Sequence, residues 1–292
     1  MDFDALLQAA QDQHHVRPEA VAEALARALP LLQSHEQVPA LVRFVTHLYA
    51  EHLERWEEGV ALLQSLPPLA ASPGVADAAR AVARGVAVLK YMGGSGESID
   101  ALGLEDRVIA LATACAALAA RGTFRRAIGA YAQAIELAQP GLPERSPAAR
   151  ALAVGGNNLA EVLEDKPTRD AFELRGMLAG AENGLKYWRL AGGWLEEERA
   201  EHRLARSLLK VGMPLGAALH AQRCIDLCQA NQAPAIECLL GHAALALAQR
   251  AGGDAAAFAA SRACALHCYA QLAAGERAAC EAVLIELADP TV

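Results

Sequence analysis

The sequence predicts an all-α protein, an elongated stack of antiparallel helix pairs, and three observations carry that prediction. Nearly every segment of the 292 residues repeats its apolar positions at helical spacing, and none alternates as a strand would. Apolar residues make up 54% of the chain but aromatics only 4%. Alanine supplies much of the difference; it is the strongest helix former and small enough to let helices approach closely. Finally, segments of one pattern recur along the chain. Each is too thin to bury its apolar face alone, so neighbours must stack.

Residues 3–14 and 18–33 read as a first helix pair, with Pro18 suited to the opening turn of the second helix. Residues 37–53 and 55–66 form the next pair, and Pro67–Pro68 ends it because proline cannot continue a helix. One strong helix, 75–91, follows. The break MGGSGES at 92–98 leaves its partner helix short or missing. The stretch 111–140, LATACAALAARGTFRRAIGAYAQAIELAQP, is the clearest pair. Cys115 is the small residue of its first helix and Gly122 opens its turn. Ala127, Tyr131 and Ala134 run small, large, small along the second helix, and Pro140 closes the unit. Trp56, Gly59, Val60 and Leu63 repeat the spacing of Phe124, Ala127, Ile128 and Tyr131.

Beyond 140 the segment GGNNLAEVL (155–163) supplies a packing pair, Leu159–Ala160, and a long helix over 168–190 follows it. Leu204–Ala205 is the next packing pair, Gly212 its turn, and Ala217 and Cys224 the small positions of the helix after it. The last pair is 236–251 and 254–271, around Gly252–Gly253, and a terminal helix, 275–288, caps the open end. Cys115, Ala160 and Ala205 lie 45 residues apart in succession. The whole chain reads as a single domain: an N-terminal pair at 1–35, degenerate units over 37–107, clearer ones over 108–271, and the cap.

These residues resemble the tetratricopeptide repeat, and most closely its kinesin-light-chain and bacterial-regulator style. The resemblance implies a right-handed α-solenoid and a non-enzymatic scaffold that binds a peptide segment of a partner protein. The sensor part of a bacterial regulatory system is one form of that role. In the family, first helices line a concave groove, and residues just before the packing pair point into it. Carried over by position, the groove residues are Asn157 and Asn158, His202 and Arg203, and His242. An Asn amide both donates to and accepts from a peptide backbone, and an Arg fork holds a carboxylate with two bonds.

Charge narrows the partner. The net charge is −8, and the first hundred residues carry 7 basic against 13 acidic side chains. A nucleic-acid binder needs a basic stripe, and Arg121, Arg125 and Arg126 are explained as a solvated turn. Asp2 and Asp4 leave no basic start for a secretion signal. The longest apolar run, 108–120, falls short of the roughly 20 residues that span a bilayer. The expected setting is the cytoplasm, with no nucleic acid, membrane or cofactor, and with self-association open.

Seven cysteines without a secretion signal read as free thiols. His220, Cys224 and Cys228 share one helix face at four-residue spacing, as do Cys264 and Cys268. Zinc would need four such ligands to converge. Packing is the simpler reading, because Cys behaves as a small hydrophobe in a core. Two alternatives stand beside the scaffold: a metal- or thiol-responsive protein built on Cys224, Cys228, Cys264 and Cys268, and a purely structural homo-oligomer. Trp188 and Trp194 flank a repeat junction, and His14–His15 sits exposed at a helix end. Glu196, Glu197 and Glu198 open a helix, where carboxylates complement the dipole. No phosphate loop, nucleophile elbow or HExxH motif is present, so no catalytic residue is expected.

Overall fold

The structure, a computed structural model, describes residues 2–69 and 74–288, and among them every regular element is helical. Two compact units divide the chain, Met1–Gly141 and Leu142–Val292.

The N-terminal unit opens with α1 (Phe3–Gln13) and α2 (Pro18–Ala28). Asp2 accepts from the Ala5 amide to cap α1. The helix expected to run to residue 33 stops at Ala28 and tightens into a 3-10 turn, Leu29–Leu31. Pro30 is the cause: it lacks an amide proton and its ring crowds the preceding turn. Next come a second 3-10 turn, His35–Gln37, and α3 (Val38–His47). α3 widens into a π turn over Leu48–Leu53, which ends on Glu54 in the left-handed region at φ 55°. α4 (Trp56–Gln64), α5 (Val75–Met92) and the four-residue α6 (Glu97–Asp100) follow, so the partner helix after 92–98 is short. α7 (Leu104–Ala120) and α8 (Phe124–Leu137) complete the unit. α5 packs on both α3 and α7, while α4 packs on α5 and α8 on α7.

The C-terminal unit holds α9 (Pro147–Glu164), α10 (Ala171–Ala191), α11 (Trp194–Lys210), α12 (Pro214–Ala230), α13 (Ala235–Ala251) and α14 (Ala255–Ala270). The expected terminal helix is broken at Cys280 into α15 (Ala274–Ala279) and α16 (Glu281–Ala288). α9, α11 and α13 touch in a row, and α10, α12 and α14 each pack on the row helix before them. Short turns between members of a pair make them antiparallel.

One turn chemistry recurs in both units. Gly122 and Gly212, at φ 69° and 74°, let the amides of Thr123 and Met213 reach back to the carbonyls of Leu118 and Leu208. This closure satisfies the helix-end carbonyls, and glycine adopts the left-handed backbone without strain. Helices α9 and α10 approach closely. A Cβ on Gly180 would sit 2.9 Å from the Gly156 carbonyl oxygen, so the small residue is what permits the contact. Elsewhere the core is built largely of alanine; Ala127, Ala130 and Ala134 on α8 are fully buried. No helix among the described residues is long and apolar enough to cross a membrane.

Candidate functional site

The five residues expected to line a groove lie on the three row helices of the C-terminal unit, and their surroundings separate them. Asn158, on α9, is exposed. Asn157 turns toward α10: it is half-buried against Gly184, and its Oδ1 is buried without a hydrogen-bond partner. Arg203, on α11, crosses to α9, where it meets Glu161 and Glu164 at 2.7 Å each. Its fork is therefore filled from within the fold. Ser207 adds a bond to the other Glu164 oxygen at 2.5 Å, so this buried carboxylate ties α11 to α9. His202 is crowded by burial and by Arg206 and Arg203, which together push its pKa down to about 3 and keep the ring neutral. His242, on α13, is half-buried, and burial lowers its pKa as well.

The carboxylate fork expected of Arg203 occurs one turn along α11, at Arg206. Its two terminal nitrogens donate to the two oxygens of Glu286 at 2.6 and 2.8 Å, and Arg250 of α13 donates to the Glu286 carbonyl at 3.0 Å. The Arg206 bonds hold the Glu286 carboxyl below its ordinary range. α16 thus lies across row helices α11 and α13. Its Leu287 is buried with Leu239, Ala243 and Leu247, and Val283 packs on the same cluster beside Leu209. The sequence reading missed this contact. Only half of its signal was local: Arg206 is three residues after Arg203 and shares its helix face, while nothing near it points to Glu286.

Beneath the row lies a set of buried carboxylates. Glu201 accepts from Arg189 at 2.5 Å and stands 2.5 Å from His220 Nδ1. Glu237 accepts from Arg199 at 2.5 Å. Glu198 differs, because thiols take the place of a bonded cation: the Cys224 thiol donates to it at 2.6 Å, and the Cys228 sulfur is 3.7 Å away. Burial pushes Glu198 up to about 7 from an ordinary 4.5. Its expected role at the helix start falls instead to Glu196, which accepts from the Gly193 amide at 2.9 Å. Cys224 is raised by its hydrogen bond with Cys228 and then by burial, so it stays a thiol.

Of the four cysteines read as metal candidates, Cys224 and Cys228 converge with Glu198, and their ligand atoms lie within 4.8 Å of one another. Cys264 is exposed and Cys268 half-buried, and neither joins that group. As it stands the cluster is a packing group in which both thiols donate to Glu198. To hold a metal it would have to shed those protons. Trp188 is buried and carries Arg150 over its ring at 5.1 Å, which makes it part of the frame. Arg121 and Arg126, read as solvated, instead donate to carbonyls of Glu51 and of Tyr91 and Met92.

A scan against models of known protein families gives no match to this chain, and a search of curated proteins gives no relative.

Proposed function

We propose that the chain is a non-enzymatic scaffold of the tetratricopeptide kind, a right-handed solenoid whose C-terminal unit binds a segment of a partner protein. The row α9–α11–α13 is the binding face, and Asn158 and His242 are its open polar contacts. The preferred ligand is an apolar helix that carries a carboxylate. One observation carries this reading: Arg206 holds the Glu286 carboxylate with two bonds while Leu287 fills the apolar cluster beside it. α16 has the chemistry of such a ligand and occupies the face in its absence. Helix-in-groove recognition uses this combination of apolar anchors and one fixed charge. A sensor role in a bacterial regulatory system in the cytoplasm fits a face that a partner opens by displacing a tethered segment.

The test uses a labelled peptide of the sequence Glu281–Ala288 and the full-length chain, read by fluorescence anisotropy. Glu286→Arg places like charges together and frees the face. That variant is expected to bind the peptide, and adding Arg206→Ala is expected to weaken binding about tenfold or more. Wild type binds more weakly than Glu286→Arg, because a tethered competitor acts at an effective concentration of about millimolar. Absence of binding to both wild type and Glu286→Arg would reject the face.

A further inference from the structure

The N-terminal unit contains a second constellation, independent of the binding face. His14 ends α1, His47 ends α3, and His52 lies in the π turn that follows. Contrary to the sequence expectation, His14 is buried, at 8% exposure; His15 beside it is exposed. The Nε2 atoms of His14 and His47 are 3.0 Å apart, and those of His52 and His47 are 3.2 Å apart. All three ligand atoms lie within 4.8 Å of one another.

Proton bookkeeping shows why this is not an ordinary hydrogen-bonded cluster. His14 Nδ1 is 2.6 Å from the Gln11 carbonyl oxygen, which can only accept, so Nδ1 carries the proton. His47 Nδ1 is 3.0 Å from a Glu51 carboxylate oxygen and likewise donates. In a neutral ring the other nitrogen is then a bare lone pair. Two bare lone pairs face each other at 3.0 Å, with a third imidazole nitrogen directed at the same point. A positive species between them relieves the repulsion, and a single shared proton can serve only one of the two contacts.

We propose that His14, His47 and His52 form a binding site for a divalent transition metal of the zinc class, with Glu51 orienting His47 from behind. Four observations support the assignment. Imidazole nitrogens at 2.0–2.1 Å around a tetrahedral zinc stand about 3.3 Å from one another, close to the two separations here. Carbonyl and carboxylate partners on Nδ1 are the usual supports of metal-bound histidines, and they fix the Nε2 lone pair for the metal. The π turn supplies the alignment. Residues five apart on an α-helix point about 140° away from each other, whereas a π turn brings them near one face, and such turns recur at functional sites. Finally, His47 and His52 are only half-buried, which leaves the cluster within reach of an ion from solvent. Three histidines leave a fourth position for water or for His15, whose ring centroid is 5.0 Å from that of His52.

Arg121 strengthens the frame. It donates to the Glu51 carbonyl at 3.0 Å and pairs with Glu54, so the end of α7 clamps the π turn.

The experiment is calorimetric titration of untagged, chelator-stripped full-length chain with zinc chloride, followed by metal analysis after dialysis. One zinc per chain is expected, with a dissociation constant of about 1 µM or below. His47→Ala is expected to weaken it about 100-fold or more, and Glu51→Gln about tenfold at unchanged stoichiometry. Cys224→Ser/Cys228→Ser leaves the affinity unchanged. Cobalt in place of zinc gives the intense visible bands of a tetrahedral site. If circular dichroism shows that His47→Ala does not fold, Glu51→Gln decides: weakened binding supports the site and unchanged binding rejects it. Wild type that ignores zinc overturns the proposal and leaves a shared proton between the rings. Zinc binding that survives His47→Ala, or that is lost with the cysteines, overturns it as well.

Discussion

Glu198 has the most unusual environment of any carboxylate in the C-terminal unit. It is 1% exposed, with thiols as its bonded partners and one oxygen that has none. Burial raises its pKa from 4.5 to about 7, so the folded chain holds this proton more tightly than the unfolded chain does. The stabilisation linked to it is complete below pH 4.5 and is lost as pH rises toward 7. The loss amounts to about 3 kcal/mol at most. Glu198→Gln keeps an acceptor for Cys224 and removes the titration. The urea midpoint should therefore fall less between pH 5 and pH 8 in the variant than in wild type, and at pH 8 the variant should be the more stable. Equal pH dependence in both proteins would mean that Glu198 ionises normally. The sequence hid this residue inside the run Glu196–Glu198, where three carboxylates all suit a helix start. What distinguishes it is its place with Glu201, Ala205 and Leu208 on the buried stripe of α11.

At the scale of elements, helices were legible wherever small residues and turn glycines coincide. Gly122 and Gly212 sit at positive φ where the turns were read, and Ala127, Tyr131 and Ala134 are all buried on α8. Legibility failed where a local backbone choice overrides the periodic pattern. Pro30 ends α2 early although the apolar spacing runs on to Leu32. The π turn is invisible in a reading at 3.6 residues per turn, because His47 and His52 fall on different faces of an ideal α-helix. The α9–α10 contact depends on the absence of a side chain at Gly180. Gly180→Ala drives a methyl to 2.9 Å from a backbone oxygen that has no rotamer to yield. Unfolding in urea should show a loss of about 1–3 kcal/mol. A gain, as expected from helix propensity alone, would mean that the two helices separate easily.

For the molecule as a whole, the row α9–α11–α13 was legible in part, since the packing pairs of α9 and α11 lie 45 residues apart. What lies on the row was not. Arg203 has the position and chemistry of a carboxylate anchor, yet Glu161 and Glu164 already fill its fork. A distant pairing such as Arg206 with Glu286 spans 80 residues and leaves no local pattern. Helix spacing places Arg206 on a face, but only the tertiary path of the last two helices places Glu286 opposite it. The central claim is that α16 is a docked, ligand-like segment on this face and not an integral layer of the core. Hydrogen exchange tests it most directly, by comparing the amides of 281–288 with those of α13 and α14 in wild type and in Arg206→Ala. Arg206→Ala is expected to strip protection from 281–288 while α13 and α14 keep theirs. Loss of protection in all three together would contradict it, because α16 would then be a structural cap whose removal unfolds the end of the stack.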